Sequence, residues 1–300
     1  VRRSATRGDH LEKSGRFPGT SELSGNSQIR LISYHTLGVA RISQHTSMTT
    51  QSRKDLTLNT LTPEQIASFH QEGYLIIRSA FDQTAIDRLM KFAKIDPQLA
   101  AEVKENQNFD EGADGIGTRL VYRSGLSDDI YSAYGRSSRI VGRAEQLFGE
   151  RLRHFYHLNM QKEPKTGGWQ YHQDYGYHYK EFLYPKFVSV MLALNPATKE
   201  NGCLRVVTGS NLLGRLEHQQ SGSQLITDPK RLASVLTEMD EVYCELDPGD
   251  AMFFDGNILH ASGPNVSNTP RWSMIYAYAG SSNPCVKPGV QEKLTRVEKL

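Results

Sequence analysis

Cysteine is scarce in this chain: Cys203, Cys244 and Cys285 are the only three among 300 residues. They lie far apart with no Cys-x-x-Cys spacing, which excludes a disulfide framework and a thiolate zinc site and suits a reducing, cytoplasmic setting. Charge of one sign is also lacking. The formal net charge is +2, and Lys and Arg are spread along the chain without a basic block, so no nucleic-acid partner is expected. No apolar run approaches the roughly 20 residues needed to span a bilayer. The start has no charged head followed by an apolar signal core, so a soluble protein without a membrane partner is expected. The closing Glu298-Lys299-Leu300 departs from the Ser-Lys-Leu peroxisomal address by an acidic residue and is discounted. Small-molecule chemistry remains. A chain of this length can bury about three quarters of its unfolded surface, enough for one core without cross-links.

Residues 1 to about 47 are rich in Ser, Arg, Gly and Thr, with isolated apolar residues that bury too little to offset the entropy of ordering. They read as a disordered extension, or as the remnant of a misplaced start or of cloning. Asp9, Glu12 and Glu22 argue against a transit peptide, and Met48 stands just ahead of the first folded signals. A single domain over 48–300 is expected to follow, mainly helical over about 61–150 and β-rich over about 152–280. In Leu61-Thr62-Pro63-Glu64-Gln65, Thr62 suits an N-cap, Pro63 the first helical position and Gln65 the capping-box partner; Ile66 and Phe69 mark the buried face. Gly73 stops that helix, Tyr74–Ile77 reads as a short strand, and Asp82 opens a second helix carrying Ile86, Leu89, Met90 and Phe92.

From about residue 152 short runs rich in Tyr, Phe and Val are bounded by Gly, Pro and Asn, the pattern of an all-β core. Strands are expected at about 153–162, 168–178, 187–194, 203–207, 242–246, 251–254, 257–262 and 271–279. Eight such strands match a jelly roll, the double-stranded β-helix of cupin-like proteins, whose mouth can hold a ligand between two sheets. The fold class is thus mainly β with flanking α. Pro248-Gly249-Asp250 supplies one tight turn, and the segment from about 209 to 240 is longer than a hairpin needs, as lids and binding loops often are.

Within this β interval, Trp169-Gln170-Tyr171-His172-Gln173-Asp174 sets an imidazole and a carboxylate two residues apart, and strand geometry then points both to one face. A third ligand, His260, lies near the other end of the sheet, where a jelly roll can bring it opposite the pair. Two His and one carboxylate form a facial triad that leaves three positions of an octahedral Fe(II) open for a chelating keto acid and O2. Arg271 follows His260 by eleven positions at the start of an apolar strand, and its guanidinium fork suits the distal carboxylate of 2-oxoglutarate. Ser262 shares a strand face with His260, and Gln161 stands on a neighbouring strand; both are candidates to contact the same cosubstrate. A His-x-Asp alone is common by chance, and a lone His is usually structural. Their conjunction with a later strand His and the spaced Arg carries the reading.

These motifs resemble the phytanoyl-CoA dioxygenase family of Fe(II)/2-oxoglutarate oxygenases, which includes bacterial ectoine hydroxylases. The resemblance covers about 61–280: the opening Leu61–Gln65 with Gly73-Tyr74, His172-Gln173-Asp174, Glu200-Asn201-Gly202-Cys203-Leu204 leading to Gly209-Ser210, Pro248-Gly249-Asp250, and His260-Ala261-Ser262-Gly263 through Arg271. It implies iron on His172, Asp174 and His260, and 2-oxoglutarate on Arg271 and Ser262, with Gln161 where the family often places an amide of the same role. O2 and 2-oxoglutarate would then be spent to hydroxylate an aliphatic C–H, releasing succinate and CO2. Asp174 favours hydroxylation, because related halogenases carry a small residue there so that chloride can bind. Asn211 stands where many relatives have a His, a position that is not a metal ligand.

Substrate contacts are expected from His178, which alternation along the strand puts on the ligand face, and from Tyr175 and Trp169, although strand aromatics more often pack the sheet interior. Arg215, Glu217 and His218 form either a polar gate or a solvated loop. No compact basic cluster near the motif strands would hold the phosphates of an acyl-CoA, so a small polar or amine-bearing metabolite is expected. Two other readings stay open. A metal cupin that uses no keto acid could recruit His154, His157 or His178 as further ligands, and would give Arg271 no role. A non-catalytic β-sandwich binding module would bind no metal. Oligomeric state is not legible.

Overall fold

The computed structural model describes residues 59–102, 104–106 and 117–300. The expectation for residues 1–47 lies outside them. Helix α1 (Pro63–Glu72) begins as its sequence requires: the Thr62 side chain accepts from the Gln65 backbone N–H, and the Gln65 side chain accepts from the Thr62 N–H. It ends at Gly73 with φ 82°, a left-handed conformation that glycine adopts without a Cβ penalty. Strand β1 (Tyr74–Ile77) follows, and Asp82 caps α2 (Gln83–Ile95) by accepting from the Ala85 N–H.

The expected mainly helical segment also contains α3 (Pro97–Glu102), α4 (Ile130–Arg136) and α5 (Arg143–Phe148), the last two joined by a π-turn over Ser138–Gly142. Besides the expected β1, it differs from the expectation in feeding two further strands into the main sheet: β2 (Lys104–Asn106) and β3 (Thr118–Ser124). Tertiary pairing overrides the helical surroundings here. β1 pairs with β11 (Ala251–Asp255), and β3 pairs with β4 (Leu152–Lys162).

The remaining strands are β5 (Trp169–His172), β6 (Phe187–Ala193), β7 (Leu204–Val207), β8 (His218–Ser221), β9 (Gln224–Thr227), β10 (Glu241–Cys244), β12 (His260–Ser262), β13 (Arg271–Gly280) and β14 (Thr295–Arg296). Among the described residues an eight-stranded antiparallel sheet runs β1-β11-β6-β13-β4-β3-β2, with β14 added to β4; a four-stranded sheet runs β10-β7-β12-β5. Two facing antiparallel sheets with helices outside make the double-stranded β-helix with flanking α that the strand pattern called for.

Alternation assigns the faces. In β6 the run Phe-Val-Ser-Val-Met-Leu-Ala is buried throughout, as a strand covered on both sides must be. Val188, Val190 and Leu192 pack against Phe69, Ile86, Leu89 and Leu147 from the helices, while Met191 and Ala193 join Met160, Leu204, Val206, Met252 and Phe254 between the sheets. Each of these Val, Leu, Ile, Phe and Met side chains contributes about 1.5–3 kcal/mol when fully buried. The segment 209–240 holds a 3-10 turn (Ser210–Leu213), the β8–β9 hairpin and α7 (Pro229–Glu238). Cys203, Cys244 and Cys285 are all free thiols. No helix among the described residues is long and apolar enough to cross a membrane.

Candidate active site

The site is built where β5 ends. The expected strand over 168–178 stops at His172, and Asp174 opens a short helix, α6 (Asp174–His178). The cause is Gln173, whose side chain is taken up on all sides. Its Nε2 donates to the carbonyls of Gly214 and Asn257, its Oε1 accepts from the Leu216 N–H at 2.7 Å, and its own N–H donates to His218 Nε2 at 3.0 Å. The next backbone donor used, Tyr175 N–H, reaches Gly256 O at 2.8 Å. The chain therefore turns at Gln173, and Asp174 reaches the His172 face through the turn and not by strand alternation.

His260 arrives from the same small sheet, with β12 antiparallel to β5 and His260 directly opposite His172; the two rings lie 4.1 Å apart between centroids. Asp174 Oδ1 is 3.6 Å from His172 Nε2 and 3.5 Å from His260 Nε2. One ligand atom from each of the three residues fits within 4.8 Å of the others. Both imidazoles are oriented from behind, by His172 Nδ1 against Gln170 O at 2.7 Å and His260 Nδ1 against Ile258 O at 3.1 Å. A proton on each Nδ1 leaves each Nε2 lone pair facing Asp174, the arrangement of metal-binding histidines. Burial, with His260 next to it, lowers the pKa of His172 and keeps it neutral. For Asp174 burial acts to raise the pKa, but the two histidines and the Ser189 hydroxyl, which donates to Oδ2, hold it below the usual carboxylate range. Two imidazoles and one carboxylate, aimed at a common point, are a donor set that suits a divalent metal.

The triad opens on a cavity of about 280 Å3 between the sheets, lined also by Arg271, Ser262, Trp169, Tyr177 and His178. Arg271, the first residue of β13, is fully buried. Its Nη2 contacts Met160 Sδ at 3.3 Å, while Nε and Nη1 are buried without a hydrogen-bond partner. Burial lowers its pKa to about 10. Ser262 Oγ accepts from Lys162 Nζ at 3.2 Å, and that ammonium also contacts Gly263 O.

Two candidates are not brought to the cavity. Gln161 alternates with Met160 along β4 and so lies on the helix-facing side of the sheet, where its amide donates to Asn159 Oδ1 at 2.9 Å. Tyr175 turns into the aromatic cluster of Phe155, Phe182 and Phe187, and its hydroxyl donates to Phe182 O at 3.0 Å. His178 reaches the cavity because it lies one helical turn after Asp174, and its Nδ1 is held by Glu181 Oε2 at 2.7 Å. His154 and His157 bond to each other at 3.2 Å and do not line this cavity, so they offer the triad no further ligand.

Sequence reasoning passed over other lining residues: Leu120 and Tyr122 of β3, Tyr156, Leu158 and Met160 of β4, and Ser223 and Gln224 of the β8–β9 turn. The i, i+2 spacing of Leu120 and Tyr122 was the available signal. Arg215 pairs with Glu217 at 2.8 Å as a loop would, whereas His218 is a clamp whose imidazole ties the hairpin to the turn at Gln173. Gln224 Oε1 accepts from Gln170 N–H at 2.8 Å, and Tyr177 Oη accepts from Leu225 N–H at 3.0 Å, which holds the hairpin over the mouth.

The model of the phytanoyl-CoA dioxygenase (PhyH) family matches residues 69–273. A 2-aminoethylphosphonate dioxygenase of an uncultured bacterium is 30% identical over 145 residues, 48% of this chain, and that match spans only 50% of the relative's length. An ectoine dioxygenase of Stutzerimonas stutzeri is 24% identical over 80% of this chain and 84% of its own. The crystal structure of EctD from S. alaskensis with 2-oxoglutarate and 5-hydroxyectoine superposes with a TM-score of 0.62 at 21% identity, covering 76% of this chain and 79% of that one. That likeness shows the shared fold.

Proposed function

The chain belongs to the phytanoyl-CoA dioxygenase family, and from that premise we propose that it is an Fe(II)- and 2-oxoglutarate-dependent dioxygenase that hydroxylates an aliphatic C–H of a small amine-bearing metabolite. His172, Asp174 and His260 would hold the iron. When bound, the iron supplies activation of O2 at the expense of 2-oxoglutarate, which leaves as succinate and CO2.

The observation that carries the reading is Arg271. A guanidinium buried in the wall of a cavity, with two nitrogens unpartnered and no ion pair to an acidic side chain among the described residues, is a costly arrangement unless an anionic ligand completes it. Its fork suits the far carboxylate of a keto acid whose other end reaches the triad. Ser262, oriented by Lys162, offers a hydroxyl to the same carboxylate. The hairpin held by Gln224 and Tyr177 narrows the mouth and keeps bulk water from the reacting carbon.

The amine preference is supported by the rest of the wall. Apart from Arg271, the described lining includes no Lys or Arg that could hold a phosphate, phosphonate or CoA tail. Instead Tyr122, Tyr156, Tyr177 and Trp169 present aromatic surface. Burial, then the nearby Glu181, raises the Tyr122 phenol to about 12; burial also raises Tyr177 to about 12 and Tyr156 further. Neutral aromatic rings in a negative local field attract an ammonium group.

The test is anaerobic addition of Fe(II) and then 2-oxoglutarate. A weak visible charge-transfer band is expected, and it should be lost in His172→Ala and in Arg271→Met. Bound iron with no band in the unmodified protein would sink the 2-oxoglutarate assignment in favour of a cupin that needs no keto acid. Succinate release should then be stimulated by small ammonium compounds and not by CoA thioesters; the reverse order would overturn the substrate class alone.

A further inference from the structure

We propose a second binding site, for a phosphate group, formed by Arg151, Arg153 and Arg296 at the end of the main sheet away from Arg271. Arg153 is the second residue of β4, Arg151 immediately precedes the strand, and both line one cavity. In the β14–β4 ladder Arg296 is directly opposite Arg153. Cross-strand partners project to the same side, and like charges in that position repel. Together with Ser281 and Leu152 the three arginines line a separate cavity of about 310 Å3, and no acidic side chain lines it.

The local charges do not balance from within. Arg153 Nη2 donates to a neutral carbonyl, Asn283 O at 3.1 Å, the Arg153 side chain also meets the Cys285 thiol, and its Nε is buried without a partner. Among the described residues neither Arg153 nor Arg296 forms an ion pair with a carboxylate. Arg151 does meet Glu145, through Nε at 2.9 Å, but that carboxylate is shared with Lys299 at 2.8 Å. Glu145 thus answers Arg151 and Lys299 and leaves Arg153 and Arg296 without a carboxylate partner. A tetrahedral oxyanion accepts from several guanidinium donors at once and relieves the Arg153–Arg296 repulsion. The site is distinct from the candidate active site: the two cavities share no lining residue, and Arg153 is three residues along β4 from Tyr156, roughly 10 Å of extended chain at about 3.3 Å per residue.

The shared chemistry is a phosphate group, whether of free phosphate or of a phosphorylated small molecule. Calorimetric titration of the full chain with inorganic phosphate and with glycerol phosphate, at ionic strength matched with chloride, tests it. Saturable binding of at least one is expected, weakened about tenfold or more in Arg153→Gln and abolished in the Arg153→Gln/Arg296→Gln pair. Binding of phosphate alone assigns the site to the free ion, and equal or tighter glycerol phosphate binding assigns it to a phosphorylated metabolite. Heat no different from chloride, or binding unchanged in the double variant, overturns the site. A second readout covers folding: in phosphate-free, low-salt buffer Arg296→Gln should raise Tm by removing the cross-strand repulsion. A fall in Tm would show that Arg296 makes a structural contact of its own and would remove the premise.

Discussion

Replacing Arg271 by Met should make the empty protein more stable and its complex with 2-oxoglutarate less so. Met keeps an unbranched apolar stem of similar reach while deleting a buried charge whose Nε and Nη1 have no partner. Each unsatisfied buried group costs about 1–3 kcal/mol. Water that enters the cavity will satisfy part of this, so the low end, about 2 kcal/mol, is the expected gain. At about 2–4 °C per kcal/mol for a domain of this size, Tm should rise by roughly 4–8 °C. The ligand term has the opposite sign. Two charge-assisted hydrogen bonds to a carboxylate are worth about 1.5–3 kcal/mol each, so their loss weakens 2-oxoglutarate binding by roughly two to four orders of magnitude. At a concentration 100 times the wild-type Kd, the ligand stabilises wild type by about 2.7 kcal/mol and the variant by under about 0.5 kcal/mol. Anaerobic thermal unfolding of Fe(II)-loaded protein, with and without 2-oxoglutarate, measures both terms. A variant that loses several degrees when empty yet keeps the wild-type ligand shift would show that Arg271 is a packing element, and the reasoning from its missing partners would be refuted.

Ser189→Ala removes the hydroxyl that orients Asp174 Oδ2, and metal affinity should fall about 10- to 100-fold in a chelator competition while Tm without metal changes little; unchanged affinity would detach Ser189 from the site. A Cβ on Gly176 would overlap the His218 ring, so Gly176→Ala should cost about 1–3 kcal/mol, with much of it recovered in Gly176→Ala/His218→Ala; a single variant with wild-type Tm would mean the hairpin is not clamped. Burial holds His157 down to about 4 from an ordinary 6.5. Between those values the unfolded chain binds more protons than the native state, so this stabilisation is complete above about pH 6.5 and lost as pH falls toward 4. His157→Gln should therefore flatten the fall of the urea midpoint over that range, and an unchanged slope would assign the acid lability elsewhere.

The parts of the site legible in sequence are those set by strand register and chain order. His260 faces His172 because β12 and β5 are neighbours in the small sheet, and Arg271 opens the next long strand of the large one. What failed was extrapolation of a period of two past the point where it applies. Gln173 is drawn into hydrogen bonds with Gly214, Leu216, Asn257 and His218, all distant in sequence, and nothing local announces that β5 must end there. Tyr175, which a period of two already sets off the ligand face, packs into the Phe155 cluster. Gln161 failed otherwise: the strand was read correctly, but its parity relative to Arg271 depends on the pairing of Arg271 with Lys162, which only the assembled sheet reveals. β3 was absorbed into a helical neighbourhood, and with it went Leu120 and Tyr122, because a short strand among helices is identified by its partner and not by its composition.

The readings left open by the sequence separate on what the fold leaves unsatisfied. A β-sandwich that used His172, Asp174 and His260 only to complete its core would pair their polar atoms with one another or with backbone. Instead each Nδ1 is used, each Nε2 is turned to a common point, and the nearest approach to Asp174 Oδ1 is 3.5 Å, too long for a hydrogen bond of ordinary strength. A cupin without a keto acid would explain that convergence but not Arg271, whose uncompensated guanidinium lines the same cavity. Such polar deficits lower the stability of the empty fold, and they persist where a ligand repays them. A metal at the triad and a carboxylate at Arg271 would satisfy all four residues at once. Metal and 2-oxoglutarate should therefore stabilise the protein more together than the sum of each alone, and strict additivity in their Tm shifts would argue that they do not share this cavity.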